Sequence, residues 1–181
     1  MVESVESGGE LVVSFLNTLD QRTFSHRGVQ HEPHDDLSSP ADLGRWLSEW
    51  GLVERPSATG ADLADALALR AALRDSLGAA LAVVGFPLRL VADGSGNLSL
   101  VCDPPRTGAV SQALATLVTE VATAAARGTW DRVRLCAAPE CRWAFFDTSR
   151  RGDKRWCSTA VCGNRHKTAE YRARVKATAD A

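Results

Sequence analysis

The first 130 residues contain no lysine. Nine arginines stand there against sixteen aspartates and glutamates, a net charge of −7, which excludes a basic, polyanion-facing surface over most of the chain. Long apolar runs are also missing; none approaches the roughly 18–20 residues of a membrane span. Met1–Gly9 is acidic and rich in small residues, unlike the basic-then-apolar pattern of a signal peptide. These absences predict a soluble, cytoplasmic protein with no membrane partner. The chain lacks a glycine-rich phosphate loop, a nucleophile elbow and a C-x-x-C redox pair. No catalytic set is visible, and the expectation is a protein that is not an enzyme.

The remaining 51 residues reverse the balance. Residues 131–181 carry twelve Lys and Arg against six acids, net +6, so the overall charge of −1 conceals a basic module on an acidic body. That module also holds four of the five cysteines, as Cys136 and Cys141, then Cys157 and Cys162, in the pattern C-x4-C-x15-C-x4-C. Thiolates are soft ligands that suit zinc, and four of them close a tetrahedral site. A catalytic zinc keeps a solvent position with three protein ligands, so a set of four cysteines reads as structural Zn²⁺. Such a site supplies on the order of 10 kcal/mol of metal-binding free energy to a module with few large apolar residues.

Periodicity predicts a helix-dominated body. Leu11, Val12, Phe15, Leu16 and Leu19 set a first helix over about 10–22. Residues 23–38 read as a polar loop whose histidines (His26, His31, His34) match no metal motif. Ser39 as N-cap, Pro40 at the first helical position, and Leu43, Trp46, Leu47 and Trp50 set a second helix ending at Gly51. A long helix follows over about 61–84, then a β-hairpin formed by two alternating runs, 88–93 and 98–103, around a Gly-Ser-Gly-Asn turn. A further helix spans about 108–127. Phe15, Trp46 and Trp50 are the expected large core residues, and Cys102 a buried thiol.

Within the basic module, residues 132–135 and 143–146 read as strands that place Cys136 and Cys141 at a hairpin tip. Ser158 is a plausible N-cap, placing Cys162 at the start of a helix over about 159–177. A helix start favours thiolate through its free N–H groups and positive dipole end. Hairpin knuckle plus helix start is a treble-clef-like layout. The fold class predicted is mainly α with a β-hairpin (α+β), plus this small zinc module. The domains are a disordered tail at 1–9, a helical body at 10–130 and the zinc module at 131–181.

The module resembles the CGNR zinc finger. The resemblance rests on Arg134-Leu135-Cys136, Phe146 to Arg150, Arg155-Trp156-Cys157 and Cys162-Gly163-Asn164-Arg165, with Lys167 and Tyr171-Arg172 downstream. The body resembles the ABATE domain that usually precedes that finger, through Gly9-Glu10-Leu11, the run Leu16 to Asp20, and Leu43 to Gly51. The resemblance implies a stress-induced transcription regulator that binds DNA.

Charge and position nominate Arg150, Arg151, Lys154, Arg155, Asn164, Arg165, Lys167, Arg172, Arg174 and Lys176 as nucleic-acid contacts. Arg165, Arg172 and Lys176 share one helical stripe, Lys167 and Arg174 another. Asn164 is nonetheless expected to make a local backbone bond, and Trp143 and Trp156 to be core. Asn17, Asp20 and Arg22 are candidates to line a pocket for a small-molecule effector, and the body is expected to sense such a ligand or to form a homodimer. The alternative is a protein- or RNA-interaction module with purely structural zinc.

Overall fold

The computed structural model describes residues 3–55, 57–78, 87–92, 98–104 and 106–179. The helices are α1 (Glu3–Asn17), α2 (Pro40–Glu49), α3 (Gly60–Ser76), α4 (Ala109–Ala126) and α5 (Asn164–Ala179). The strands form four two-stranded antiparallel ladders. In chain order they are β1 (Leu19–Asp20), β2 (Ser25–His26), β3 (Val29–Gln30), β4 (His34–Asp35), β5 (Leu88–Ala92), β6 (Leu98–Cys102), β7 (Val133–Leu135) and β8 (Ala144–Phe146). β1 pairs with β4, β2 with β3, β5 with β6, and β7 with β8. The result is the α+β mixture that the periodicity predicts.

Helix starts follow local chemistry. The Ser39 hydroxyl accepts the Asp42 N–H ahead of Pro40, and Thr59 with Asp62 completes a capping box for α3. Several boundaries differ from expectation, the end of α1 among them: it stops at Asn17 rather than near residue 22, because residues 19–20 leave it as the strand β1. α1 begins at Glu3 rather than near residue 10, so residues 3–9 are helical and not a disordered tail. Gly9 has a reason to be there: a Cβ at that position would lie 3.2 Å from Phe146 Cδ2, so the missing side chain lets α1 approach β8. α3 ends at Ser76, and residues 79–86 of the longer helix expected there lie outside the described residues, as does the hairpin turn at 93–97. The polar loop of 23–38 is an arm built from two short ladders, with Leu19 opposite Asp35 and Ser25 opposite Gln30.

One hydrophobic core joins Phe15 and Leu16 of α1, Leu43 and Leu47 of α2, Leu69 and Leu73 of α3, and Leu114 and Leu117 of α4. It does not stop at the boundary expected after residue 130, because Val133 and Ala144 of the β7–β8 hairpin belong to it, with Leu135 and Phe146 packed alongside. Cys102 is buried as expected. Trp46 is buried against Phe15, but Trp50 is 38% exposed: it caps the C-terminus of α2, where the helix leaves the core. By length and apolar composition α4 alone among the described helices has the makings of a membrane span. Its apolarity is largely alanine, and Val110, Leu114 and Leu117 are buried in the core.

Two arginines of α3 are the unexpected core members. Arg70 is 4% exposed and grips Asp35 with both guanidinium nitrogens, at 2.7 and 2.5 Å, while also donating to Thr18 Oγ1 at 2.8 Å. This ties the β1–β4 arm to α3. Burial alone would raise the Asp35 carboxyl pKa, but the bonds from Arg70 and the Leu37 N–H outweigh it and hold it below the ordinary value.

Arg70→Met is expected to cost about 3 kcal/mol in urea unfolding at neutral pH, the lower end for a broken buried pair because Asp35 keeps water contact. Because the folded Asp35 pKa is depressed, its contribution is present above the unfolded value near 3.9 and is lost as pH falls through the folded value. The deficit of the variant should therefore narrow below about pH 4. A deficit constant with pH would show that the ion pair contributes nothing.

Candidate metal centre

The β7–β8 hairpin carries the first cysteine pair at its tip. The Cys136 N–H donates to the Trp143 carbonyl at 2.9 Å, and the Cys141 N–H to Ala138 at 2.9 Å, which curls the chain into a knuckle. Arg142 closes it with φ of +53°, a left-handed conformation that turns its carbonyl toward the body. The second pair lies where a five-residue π-helical turn, Thr159–Gly163, leads into α5. Ser158 caps that turn by accepting the Val161 N–H at 3.2 Å.

These elements bring the four sulfurs of Cys136, Cys141, Cys157 and Cys162 within 4.8 Å of one another. Cys141 and Cys157 are 3.7 Å apart, and Cys157 and Cys162 3.8 Å. Four ligands at the Zn–S bond length of about 2.3 Å stand about 3.8 Å apart along a tetrahedron's edges. A disulfide would need about 2.05 Å, and all five cysteines are free thiols. The donor set and its spacing fit a closed tetrathiolate site for a bound metal, with zinc the natural occupant.

Without a metal the four thiols compete. Hydrogen bonds from the Cys141 and Cys157 side chains, helped by backbone N–H groups, hold Cys136 well below the ordinary thiol range. The same contact with Cys136 pushes Cys141 and Cys157 up, and burial first, then the neighbouring thiolates, pushes Cys162 up. A single cation at the centre resolves that repulsion.

The surroundings come from the body as much as from the module. Phe24 packs directly on Cys136, Cys141 and Cys162, and the Thr23 N–H donates to the Glu140 carbonyl at 3.0 Å. Asn17 forms a two-way bond with Ala144, Nδ2 to O at 2.9 Å and N to Oδ1 at 2.8 Å. Arg74 is 6% exposed and donates to the carbonyls of Leu16 and Arg142 at 2.8 and 2.9 Å. One cation thus joins α3, the negative end of α1 and the knuckle.

Arg22 is held bidentately by Asp20 and lies 4.1 Å above the Trp143 ring. The bonds from Asp20 first, and the thiolates of Cys141 and Cys157 after them, hold its guanidinium charged. Of the three residues nominated for an effector pocket, Asn17 and Arg22 contact the hairpin, through Ala144 and Trp143, and Asp20 holds Arg22; Asn17 also lines a cleft between α1, α2 and Trp143. Sequence reasoning missed Phe24 and Arg74 altogether; a lone aromatic in a polar arm, and arginines four apart on a leucine-rich helix face, were the available signals.

The segment Cys162-Gly163-Asn164-Arg165 has a distinct task at each position. Cys162 is a ligand. A Cβ on Gly163 would stand 3.2 Å from Trp156 Cδ1, so glycine lets that ring cover the site. Asn164 donates to the Ala160 carbonyl at 3.2 Å, the local bond expected of it. Arg165 lies 3.8 Å over the Phe24 ring and pairs with Glu140 at 2.9 Å. This half-buried arginine, nominated as a nucleic-acid contact, fastens α5 to the body.

The other nominated basic residues divide. Arg151 pairs with Asp153, and Arg155 lies over Trp156. Arg150, Lys154, Lys167, Arg172, Arg174 and Lys176 are exposed and form no ion pair among the described residues. Trp143 and Trp156, expected in the core, are half-buried around the metal site. The basic loop that carries Arg150 to Lys154 is anchored by Asp147, which is buried and accepts the N–H groups of Ser149 and Lys154 at 2.9 and 2.8 Å. Burial opposes its ionisation, but these bonds win and set its carboxyl at about 2. Among the described residues, His26, His31 and His34 join no metal-ligating cluster.

Cys141→Ser is expected to lower bound zinc below one equivalent per chain and to loosen the C-terminal module, read by metal analysis and hydrogen exchange. Unchanged stoichiometry would remove Cys141 from the ligand set. Arg22→Ala, which keeps all four sulfurs, should weaken zinc about tenfold in a chelator competition. Equal affinity would show that Arg22 holds the hairpin without tuning the metal.

No curated protein sequence matches the chain. The CGNR zinc finger family model matches residues 132–175, from the strand β7 through most of α5, and so contains the four cysteines, the basic loop and five of the six unpaired cations, Lys176 lying just beyond it.

Proposed function

We propose that the chain is a cytoplasmic, DNA-binding transcriptional regulator. Zn²⁺ held by four cysteines builds a treble-clef-like module, and an ABATE-like helical body senses a ligand or forms a homodimer. In this reading the protein is not an enzyme, and the metal is structural.

The observation that carries the reading is α5. Every residue from Lys167 to Thr178 is exposed. At 100° per residue, Asn164, Thr168, Tyr171 and Val175 fall along one stripe. Lys167 and Arg174 border it on one side, Arg172 and Lys176 on the other. Two rows of cations astride a neutral stripe match the two phosphate strands that flank a groove. Phosphate contacts from the rows would fix register, leaving Asn164, Thr168 and Tyr171 nearest the base edges. A protein- or RNA-interaction module is the second reading, favoured by the 62% exposure of Tyr171, an aromatic ring open to a base or an apolar partner.

The test is mobility shift with zinc-loaded protein on duplex DNA over a salt series. Arg172→Ala and Arg174→Ala should each weaken binding and reduce the salt slope by about one unit, while Arg165→Ala should instead weaken zinc retention. No shift at low salt would overturn the proposal. A stronger shift with single-stranded RNA than with duplex DNA would transfer it to the second reading.

A further inference from the structure

We infer that the body carries a binding site for an organic cation, in the open cleft between α1, α2 and the zinc hairpin. The cleft has a volume of about 460 Å³, within the range of small-molecule sites. Its walls hold three of the five tryptophans, Trp46, Trp50 and Trp143, and three carboxylates, Glu10, Asp36 and Glu49. No lysine, arginine or histidine lines it.

Each component points to the same ligand chemistry. Trp46 and Trp50 stand with ring centroids 6.1 Å apart and planes 36° apart, forming one aromatic wall. Indole faces attract cations, most strongly where water is excluded. Trp143 already takes the guanidinium of Arg22 at 4.1 Å. Glu10 and Glu49 form no ion pair among the described residues, and Asp36 meets only His34, at 3.4 Å. Three exposed acids lining the cleft give it a negative potential. An anion would be repelled, and a neutral aromatic would gain the rings without the field. The ligand class selected is a quaternary or protonated tertiary amine bearing an apolar group. Such a ligand would touch α1, α2 and Trp143, two residues beyond Cys141, so it would bridge the body and the metal hairpin. The site is independent of what α5 binds.

The test is a tryptophan fluorescence titration of the zinc-loaded full chain with benzyltrimethylammonium, beside benzyl alcohol and benzoate. The expected result is saturable binding of the cation at least fivefold tighter than the alcohol, with none for benzoate. Trp50→Ala and Glu49→Gln, both at exposed positions, should each weaken it fivefold or more, and Glu54→Gln, an exposed acid outside the cleft, should leave it unchanged. Three results would each overturn the inference: no saturation into the millimolar range, equal affinity for the alcohol, or equal loss on Glu54→Gln.

Discussion

Four sulfurs held within 4.8 Å of one another set the terms for this molecule. Buried thiolates repel, and even around a divalent cation they leave a formal charge of −2. A module of some fifty residues has neither the core to hold such a group nor the shielding to tolerate it. The body supplies both. Phe24 covers the sulfurs, Asn17 mimics a strand partner for Ala144, Arg74 anchors the knuckle carbonyl, and Arg22 brings positive charge toward Cys141 and Cys157.

That dependence explains why the shared core crosses from the helices into the β7–β8 hairpin. The ladder arm between α1 and α2 exists to deliver Arg22, Thr23 and Phe24 to the metal site. Arg70, through Asp35 and Thr18, fixes the base of the same arm. The two buried arginines of α3 thus serve one purpose from two ends: one positions the arm, the other the knuckle. Arg74 spends two hydrogen bonds on backbone carbonyls, and Arg70 spends its own on Thr18 and the partly exposed Asp35.

Legibility in the sequence followed the range of the physics involved. The cysteine spacing, the caps at Ser39 and Ser158 and the alternation in β5 to β8 are local, and each was readable. The stripe Leu11, Val12, Phe15 and Leu16 identified the core face of α1, but nothing at residues 3–9 signalled that the helix continues. At Gly9 the neighbour is Phe146, distant in sequence. The partners of Arg165 were hidden for the same reason. A basic residue on a basic helix looks like a phosphate contact until Phe24 and Glu140 are placed beside it. Asn17 and Arg22 were nominated for a pocket, while their partners Ala144 and Trp143 lie about 120 residues away and left no local signal. Long-range polar pairings leave no periodic trace.

The exposed stretch of α5 has one more implication. Twelve successive exposed residues make a helix that is marginal in water, because starting a helix costs more than extending it. Here the start is furnished: the turn that positions Cys162 fixes the first backbone dihedrals, and the helix propagates from that turn. A metal bound there would therefore serve as the nucleus of the helix. Folding of α5 and occupancy of the metal would be thermodynamically linked, so whatever grips α5 would tighten the metal by the same factor that the metal tightens the grip.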